Sequence, residues 1–396
     1  MSAGPDTTGA PDRTGAPRTT ARPRPRGVRE LGVLLALALL VAATALVNPA
    51  FLSAQSVRDL LLGATLLCVL AVGQTLVIVT RNVDLSVGSI LGLSAFATGA
   101  LFVSAPALPI PVVVLAGVLV GAACGLVNGT LVTVARVPAL VVTLGTLYVF
   151  RGVDHWWAAG RQINAADMPR AFLGLGQFGV AGIPLPAVVA LVVMLATGWY
   201  LASYRSGREL YAIGSDPDAA RLSGIPVDRR VLAAFVVNGA FAGLAGVLYA
   251  ARFGTLDANA GLGLELQVVA AAVVGGVAIF GGSGTVFGAA VGAALLSTIG
   301  SALAVLRVDP FWQQAVVGLL ILVAIGMDRL LAARTARSLR GGERTTRLRG
   351  GERTTRLRGG ERTTRLRGGE RTTRLRDGER TTRPRATGSG GTGAGP

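Results

Sequence analysis

Residues 58–104 read RDLLLGATLLCVLAVGQTLVIVTRNVDLSVGSILGLSAFATGALFVS. Two apolar runs, 58–80 and 85–104, have the length that carries a helix of about 20 residues across roughly 30 Å of bilayer hydrocarbon. Between them stand Arg81, Asn82 and Asp84, a short polar break. The pattern is that of consecutive membrane spans joined by a tight connection. It recurs along the chain at about residues 31–47, 110–135, 138–153, 184–203, 231–251, 264–281, 285–306 and 311–331, each bounded by polar or Pro/Gly breaks. The expected fold is all-α, a polytopic transmembrane helical bundle of about ten spans. The runs at 138–153 and 264–281 are short enough to be tilted, broken or partly interfacial, and the fallback count is eight.

Composition agrees. The 396 residues are 51% hydrophobic and 15% charged, too apolar for a soluble protein with an ordinary polar surface. All 38 basic residues are Arg. Without a lysine the chain cannot supply the P-loop amine that reaches nucleotide phosphates, nor a Schiff base. No cofactor is expected in this chain, and any ATP that drives it is bound by a partner subunit. Cys68 and Cys124 lie inside apolar runs and indicate neither a disulfide framework nor zinc. His155 is the single histidine, so no two-His metal motif exists and no metal site is expected. A nucleophile, base and orienter cannot be assembled from one His and no Lys, and the chain is read as a non-enzyme.

Arginine placement sets an expected topology, because short Arg-rich loops stay in the cytosol. With the N-terminus inside, the inner segments hold the leader, Arg81, Arg136, the loop with Arg205, Arg208, Arg221, Arg229 and Arg230, and the tail. The outer segments hold fewer: Arg58, Arg161, Arg170, Arg252 and Arg307, with Arg151 near a boundary. An even span count puts both termini in the cytosol. Three parts follow: residues 1–30, an Arg/Pro-rich leader expected to be disordered; 31–333, the transmembrane domain; and 334–396, an Arg-rich tail expected to be disordered. The tail holds five nonapeptide units from Gly341, the first reading GGERTTRLR. From Arg329 onward 19 Arg face six acids, +13 of the net +17. Attraction to anionic membrane lipid is one reading of that charge, and a tandem expansion without further role is the plainer one; no nucleic acid partner is expected.

Charges and polar groups at span breaks are costly in lipid and so mark candidates for a pathway. Asn82, Asp84, Ser86 and Gly88 lie at such a break, where Asp84 or Ser86 could satisfy the free amides of the next helix or meet a solute. Thr143, in the run at 138–153, is a further pathway candidate. The stretch GGVAIFGGSGTVFGAAVGAALL, Gly275 to Leu296, has the small-residue spacing that lets helices approach closely. The loop SYRSGRELYAIGSDPDAARLSGIPVDRR, Ser203 to Arg230, is the longest polar inner segment. Its DAARLSG, bracketed by Pro217 and Pro226, suits a short exposed helix, either a plain connector or a docking surface.

At these segments the chain resembles the permeases of bacterial sugar-importing ABC systems, the ribose, xylose, rhamnose and autoinducer-2 group related to branched-chain amino acid permeases. The resemblance spans about 31–331 and is carried by VDLSVGSILGL (Val83–Leu93), PALVVTLGTLYVFRGV (Pro138–Val153), GRELYAIGSDPDAARLSGI (Gly207–Ile225) and GGSGTVFGAAVGA (Gly281–Ala293). It implies a cytoplasmic-membrane permease that pairs with a second permease chain, receives sugar from an extracytoplasmic binding protein and is opened by cytosolic ATP-binding cassette subunits. The ATPase-coupling segment is then Asp218, Ala219, Ala220, Arg221, Leu222, Ser223 and Gly224. Many members have Glu at the position of Asp218, and Gly-Gly where this chain has Arg81-Asn82. The Arg-Asn form and FWQQ at Phe311–Gln314 resemble the rhamnose and autoinducer-2 branch, which implies a rhamnose-like sugar. The alternative is an ion-coupled secondary transporter, for which only Asp84 and Glu265 stand in plausible places.

Overall fold

The computed structural model describes residues 27–322 apart from 181, 308, 310, 313, 317, 320 and 321. The leader up to residue 26, much of the 311–331 run and the repeat tail lie outside the described residues. Seven helices among those described are long and apolar enough to cross a membrane. They are α1 (Gly27–Val47), α2 (Ala54–Ile78), α3 (Val87–Ser104), α4 (Ile110–Thr133), α7 (Leu185–Ser203), α10 (Val227–Phe253) and α12 (Val286–Val305). A further long helix, α5 (Ala139–Ala158), carries Arg151 and Asp154 in its body. The shorter helices are α6 (Arg170–Gln177), α8 (Arg205–Ser215), α9 (Pro217–Leu222) and α11 (Leu264–Val274). A two-residue hairpin, Gly179–Val180 with Ile183–Pro184, is the one sheet among the described residues.

Two elements differ from the sequence expectation. The run at 138–153 continues as helix to Ala158, so Arg151 sits within a helix rather than near its boundary. The run at 264–281 forms only 11 helical residues and ends at Gly275, beyond which positive φ at Gly276, Gly281, Gly282 and Gly284 turns the chain. At about 1.5 Å per residue, α11 covers only about half the hydrocarbon thickness.

Burial sorts the helices. In α2 and α3, 78% of the most apolar window is buried, against 28% in α4 and 22% in α7. The first pair forms the centre, and the second pair turns an apolar face outward, which suits lipid. Glycines set the closest crossing. Gly117, Gly121, Gly125 and Gly129 form one stripe of α4 at four-residue spacing, facing Phe235, Gly239, Gly243 and Val247 of α10. A Cβ on Gly121 would lie 2.6 Å from both the Cα and the N of Gly243. Only bare backbone fits there, the packing mode of small residues in lipid. The α11–α12 contact works the same way: Gly275 meets Gly288, and Ala271 meets Gly292.

Each end of the bundle has its own hydrophobic cap. At one, Phe102 packs on Phe172 of α6 with ring centroids 4.8 Å apart, beside Ile163 and Leu256, which pair through their backbones. At the other, Ile213 of α8, Ala220 of α9, Val227 and Phe235 close over Val77.

Candidate functional site

Helices α3 and α11 both begin inside the bundle. Residues 79–86 approach from the α8–α9 end and residues 254–263 from the α6 end, neither as continuous helix. The two helix starts touch: a Cβ on Gly88 would fall 2.6 Å from Gly261 O and 2.5 Å from Glu265 Oε1. Gly261 lies in the left-handed region at φ +77, which glycine adopts without steric cost. Non-helical backbone at membrane depth is tolerated only where protein buries it or where it lines a cavity.

The first break is organised by Asp84, which is fully buried. Its Oδ1 accepts from Ser86 N at 2.9 Å and Ser86 Oγ at 2.7 Å, and its Oδ2 accepts from Asn238 Nδ2 of α10 at 3.0 Å. Asn128 Nδ2 of α4 donates to Ser86 Oγ at 2.7 Å and lies 3.5 Å from Asp84 Oδ1. Oriented to match donor with acceptor, the Gln74 amide accepts from the Asp84 backbone N–H at 3.0 Å and donates to its carbonyl at 3.3 Å. Thr143 Oγ1 of α5 donates to Val83 O at 3.2 Å. Side chains from α2, α4, α5 and α10 thus hold one extended segment. Of the sequence candidates, Asp84, Ser86, Gly88 and Thr143 gather around the α3 start, whereas Asn82 turns back to Thr80.

A second cluster lies on the other side of the α3 start. Arg151 Nη1 donates to Ala258 O at 2.8 Å and Ala260 O at 2.7 Å, and its Nη2 stands 3.9 Å from Glu265 Oε1. Asp154, three residues along α5, is fully buried with neither carboxylate oxygen hydrogen-bonded. Sequence reasoning named Arg151 and Glu265 separately and missed the cluster. One signal was available, since charges three residues apart in an apolar run share a helix face. Two cavities, of about 360 and 410 Å³, lie elsewhere, and neither is lined by Asp84, Arg151, Asp154 or Glu265. Asp84 and Asp154 have no exposed surface in this conformation.

The loop between α7 and α10 is tied to the first break. Asp216 caps α9, accepting from Asp218 N at 3.0 Å and Ala219 N at 3.1 Å. Asp218, Ala219, Arg221, Leu222, Ser223 and Gly224 are exposed, and Ala220 alone of the segment is buried. Arg221 pairs with Asp228 at 2.9 Å, while Leu222 is 91% exposed. Below α9, Arg81 Nε and Nη2 donate to the carbonyls of Gly214 and Ser215, and Gly282 N donates to Val79 O at 2.9 Å. Arg81 does so from the left-handed region, φ 67, where a side chain is strained. A Gly at this position would relieve that strain and give up the guanidinium contacts. Glu209 of α8, its side chain 8% exposed, takes Arg205 at 2.9 Å and Arg230 at 2.6 Å. Burial pushes its carboxyl up, but the hydrogen bonds and charges of Arg230 and Arg205 outweigh that and hold it below the ordinary range.

Long apolar helices, with two further helix starts inside the bundle, are the architecture of a polytopic helical membrane protein. Residues 56–325 match the family described as branched-chain amino acid transport system / permease component, and the chain belongs to that family. It is an ABC-type permease of the cell membrane. It is 36% identical over 312 residues, 79% of this chain and 90% of the relative, to the autoinducer 2 import system permease protein LsrC of Enterobacter sp. (strain 638). To the proteins of the same name in Klebsiella pneumoniae and Escherichia coli (strain K12 / DH10B) it is 37% and 36% identical, over the same shares of each chain. No solved structure matches the chain.

Proposed function

We propose that this chain carries a small polyhydroxylated solute of the sugar class into the cytosol. In this reading it is driven by ATP-binding cassette subunits that seat on α9. A second permease chain and an extracytoplasmic binding protein complete the assembly. Autoinducer 2, from the names of the relatives, is the first solute to test, and L-rhamnose is the second. The proposed topology keeps about ten spans with both termini in the cytosol, as the arginine placement favours.

The observation that carries the docking reading is Leu222. A leucine 91% exposed on a capped helix at the polar end of the bundle has no role in the fold of this chain. Single exposed apolar residues are common on surfaces, so the weight lies in what stands behind this one. Arg81, Val79 and the 281–284 turn connect α8, which directly precedes α9, to the segment that Asp84 anchors. Displacement of α9 is thereby passed to the start of α3. An ATP-driven change needs such a coupling element, because the partner must contact the two states of the permease differently.

Liposomes holding the permease with its ATP-binding subunit and binding protein test this directly. Uptake should require ATP, and Leu222→Asp should lower it at least tenfold while membrane insertion and melting temperature stay at wild-type values. Solute accumulation by this chain alone, under an imposed proton or sodium gradient, would instead establish the ion-coupled alternative. Wild-type uptake by Leu222→Asp would remove α9 as the docking surface.

A further inference from the structure

The cluster of Arg151, Asp154 and Glu265 is unfinished as a structural feature. Side-chain exposure is 9% for Arg151 and 10% for Glu265, and Asp154 is fully buried. Yet Arg151 Nε and Nη2, both oxygens of Asp154 and Oε1 of Glu265 have no hydrogen-bond partner. Buried polar groups are nearly always paired, because each unpaired one forfeits its hydration without compensation. Five such atoms in three neighbouring side chains are not accounted for by packing. The Asp84 network differs in that both its carboxylate oxygens are occupied and its unpaired atoms are the neutral amide oxygens of Asn128 and Asn238.

The place is as informative as the inventory. All three side chains converge on one stripe of α3. A Cβ at Gly92 would meet Arg151 Nη1 at 2.8 Å and Asp154 Oδ2 at 3.2 Å, and one at Gly88 would meet Glu265 Oε1 at 2.5 Å. Glu265 stands in the first turn of α11, and Arg151 grips the 254–263 segment through the carbonyls of Ala258 and Ala260. The cluster therefore sits between two helices that start inside the bundle, one of which is tied to the α8–α9 end. Separation of α3 from α11 and α5 would uncover all five unpaired atoms at once.

The free atoms are of both kinds. Arg151 offers only donors, and the carboxylates offer acceptors. A cation would satisfy the acceptors alone, and an anion the donors alone. A hydroxyl group donates and accepts together, so neighbouring hydroxyls of one polyol can serve both sets. Resting on the sugar reading above, we propose that Arg151, Asp154 and Glu265 form the hydroxyl-binding site of the translocation path. In this conformation the site is closed by the Gly88–Gly92 face of α3, and it determines which sugar passes.

The test uses the complete importer in liposomes, with D-ribose, L-rhamnose, autoinducer 2 and the monodeoxy analogues of whichever is transported. Uptake by Asp154→Asn, Glu265→Gln and Arg151→Lys is divided by wild-type uptake for each solute, which cancels the selectivity of the binding protein. A hydrogen bond to a charged group corresponds to about ten- to a hundredfold. Each variant should lose at least tenfold on the parent sugar, yet less than threefold on the one deoxy analogue lacking the hydroxyl it holds. Melting temperature is followed in parallel, and three variants keep the test decisive if one fails to insert. A loss that is uniform across the analogues, or no loss, overturns this site while leaving the sugar reading intact. Failure of the wild-type importer to move any sugar of the panel overturns both.

Discussion

Replacing Asp84 separates an anchoring role from a solute-binding one. Asp84→Ala removes the acceptor for Ser86 N, Ser86 Oγ and Asn238 Nδ2, all inside a site with no exposure. Asn128 keeps its bond to Ser86 Oγ at 2.7 Å. Three stranded donors, at about 1–3 kcal/mol each and not fully additive, give about 3–5 kcal/mol, a large fraction of the stability of an ordinary domain. Asp84→Asn should behave differently. Its amide oxygen can take the place of Oδ1 towards Ser86, and its new NH2 faces Asn238, whose own Oδ1 is unpaired. A flip of the Asn238 amide then restores the contact, and the cost stays under about 1 kcal/mol. Thermal unfolding of the detergent-purified protein, followed by size-exclusion chromatography, reads both variants, and ATP-driven uptake is measured on the same samples. The expected result is Asp84→Ala strongly destabilised and inactive, with Asp84→Asn near wild type in both respects. An Asp84→Asn protein that melts normally but transports nothing would refute the reasoning, because the charge rather than the hydrogen-bond pattern would then matter.

Two further outcomes follow from the packing and the charges. Gly121→Val should lower stability by about 1–3 kcal/mol, since its side chain must push α4 off the backbone of Gly243; the same change at Gly145, whose Cβ position is open, should be close to neutral. Glu209 has its carboxyl held below the ordinary value of 4.5, so its stabilising contribution is complete above that pH and is lost as pH falls through the lowered folded value. Glu209→Gln should therefore melt lower at neutral pH, by an amount that shrinks as the comparison is carried progressively below pH 4.5. An unchanged difference across that range would mean that the carboxylate charge is not what joins α8 to α10.

Much of this was open to reading in the linear chain. Hydropathy marks spans because each span faces lipid or apolar protein for its whole length, and that requirement is local. The break at residues 81–86 and the polar loop at 203–230 were legible for the same reason. So was the close packing of 275–296, since small residues leave few other options. The α4 glycine stripe was equally visible at four-residue spacing, but nothing local names Gly239 and Gly243 as its partners.

What the sequence determined, then, is a membrane-spanning helical protein with a polar break near Asp84 and a short exposed helix in the stretch Asp218 to Gly224. Only the tertiary structure decided that 254–263 returns into the bundle, that Asn128 and Asn238 meet at Asp84, and that Arg151 faces Glu265 more than a hundred residues away. The physical reason is one of range. An apolar run declares its solvent within its own length, whereas a buried Asn, Arg or Glu acquires meaning only from the donor or acceptor opposite. That partner is fixed by how helices cross, and the crossings here are set by glycines, which carry no side chain to announce them.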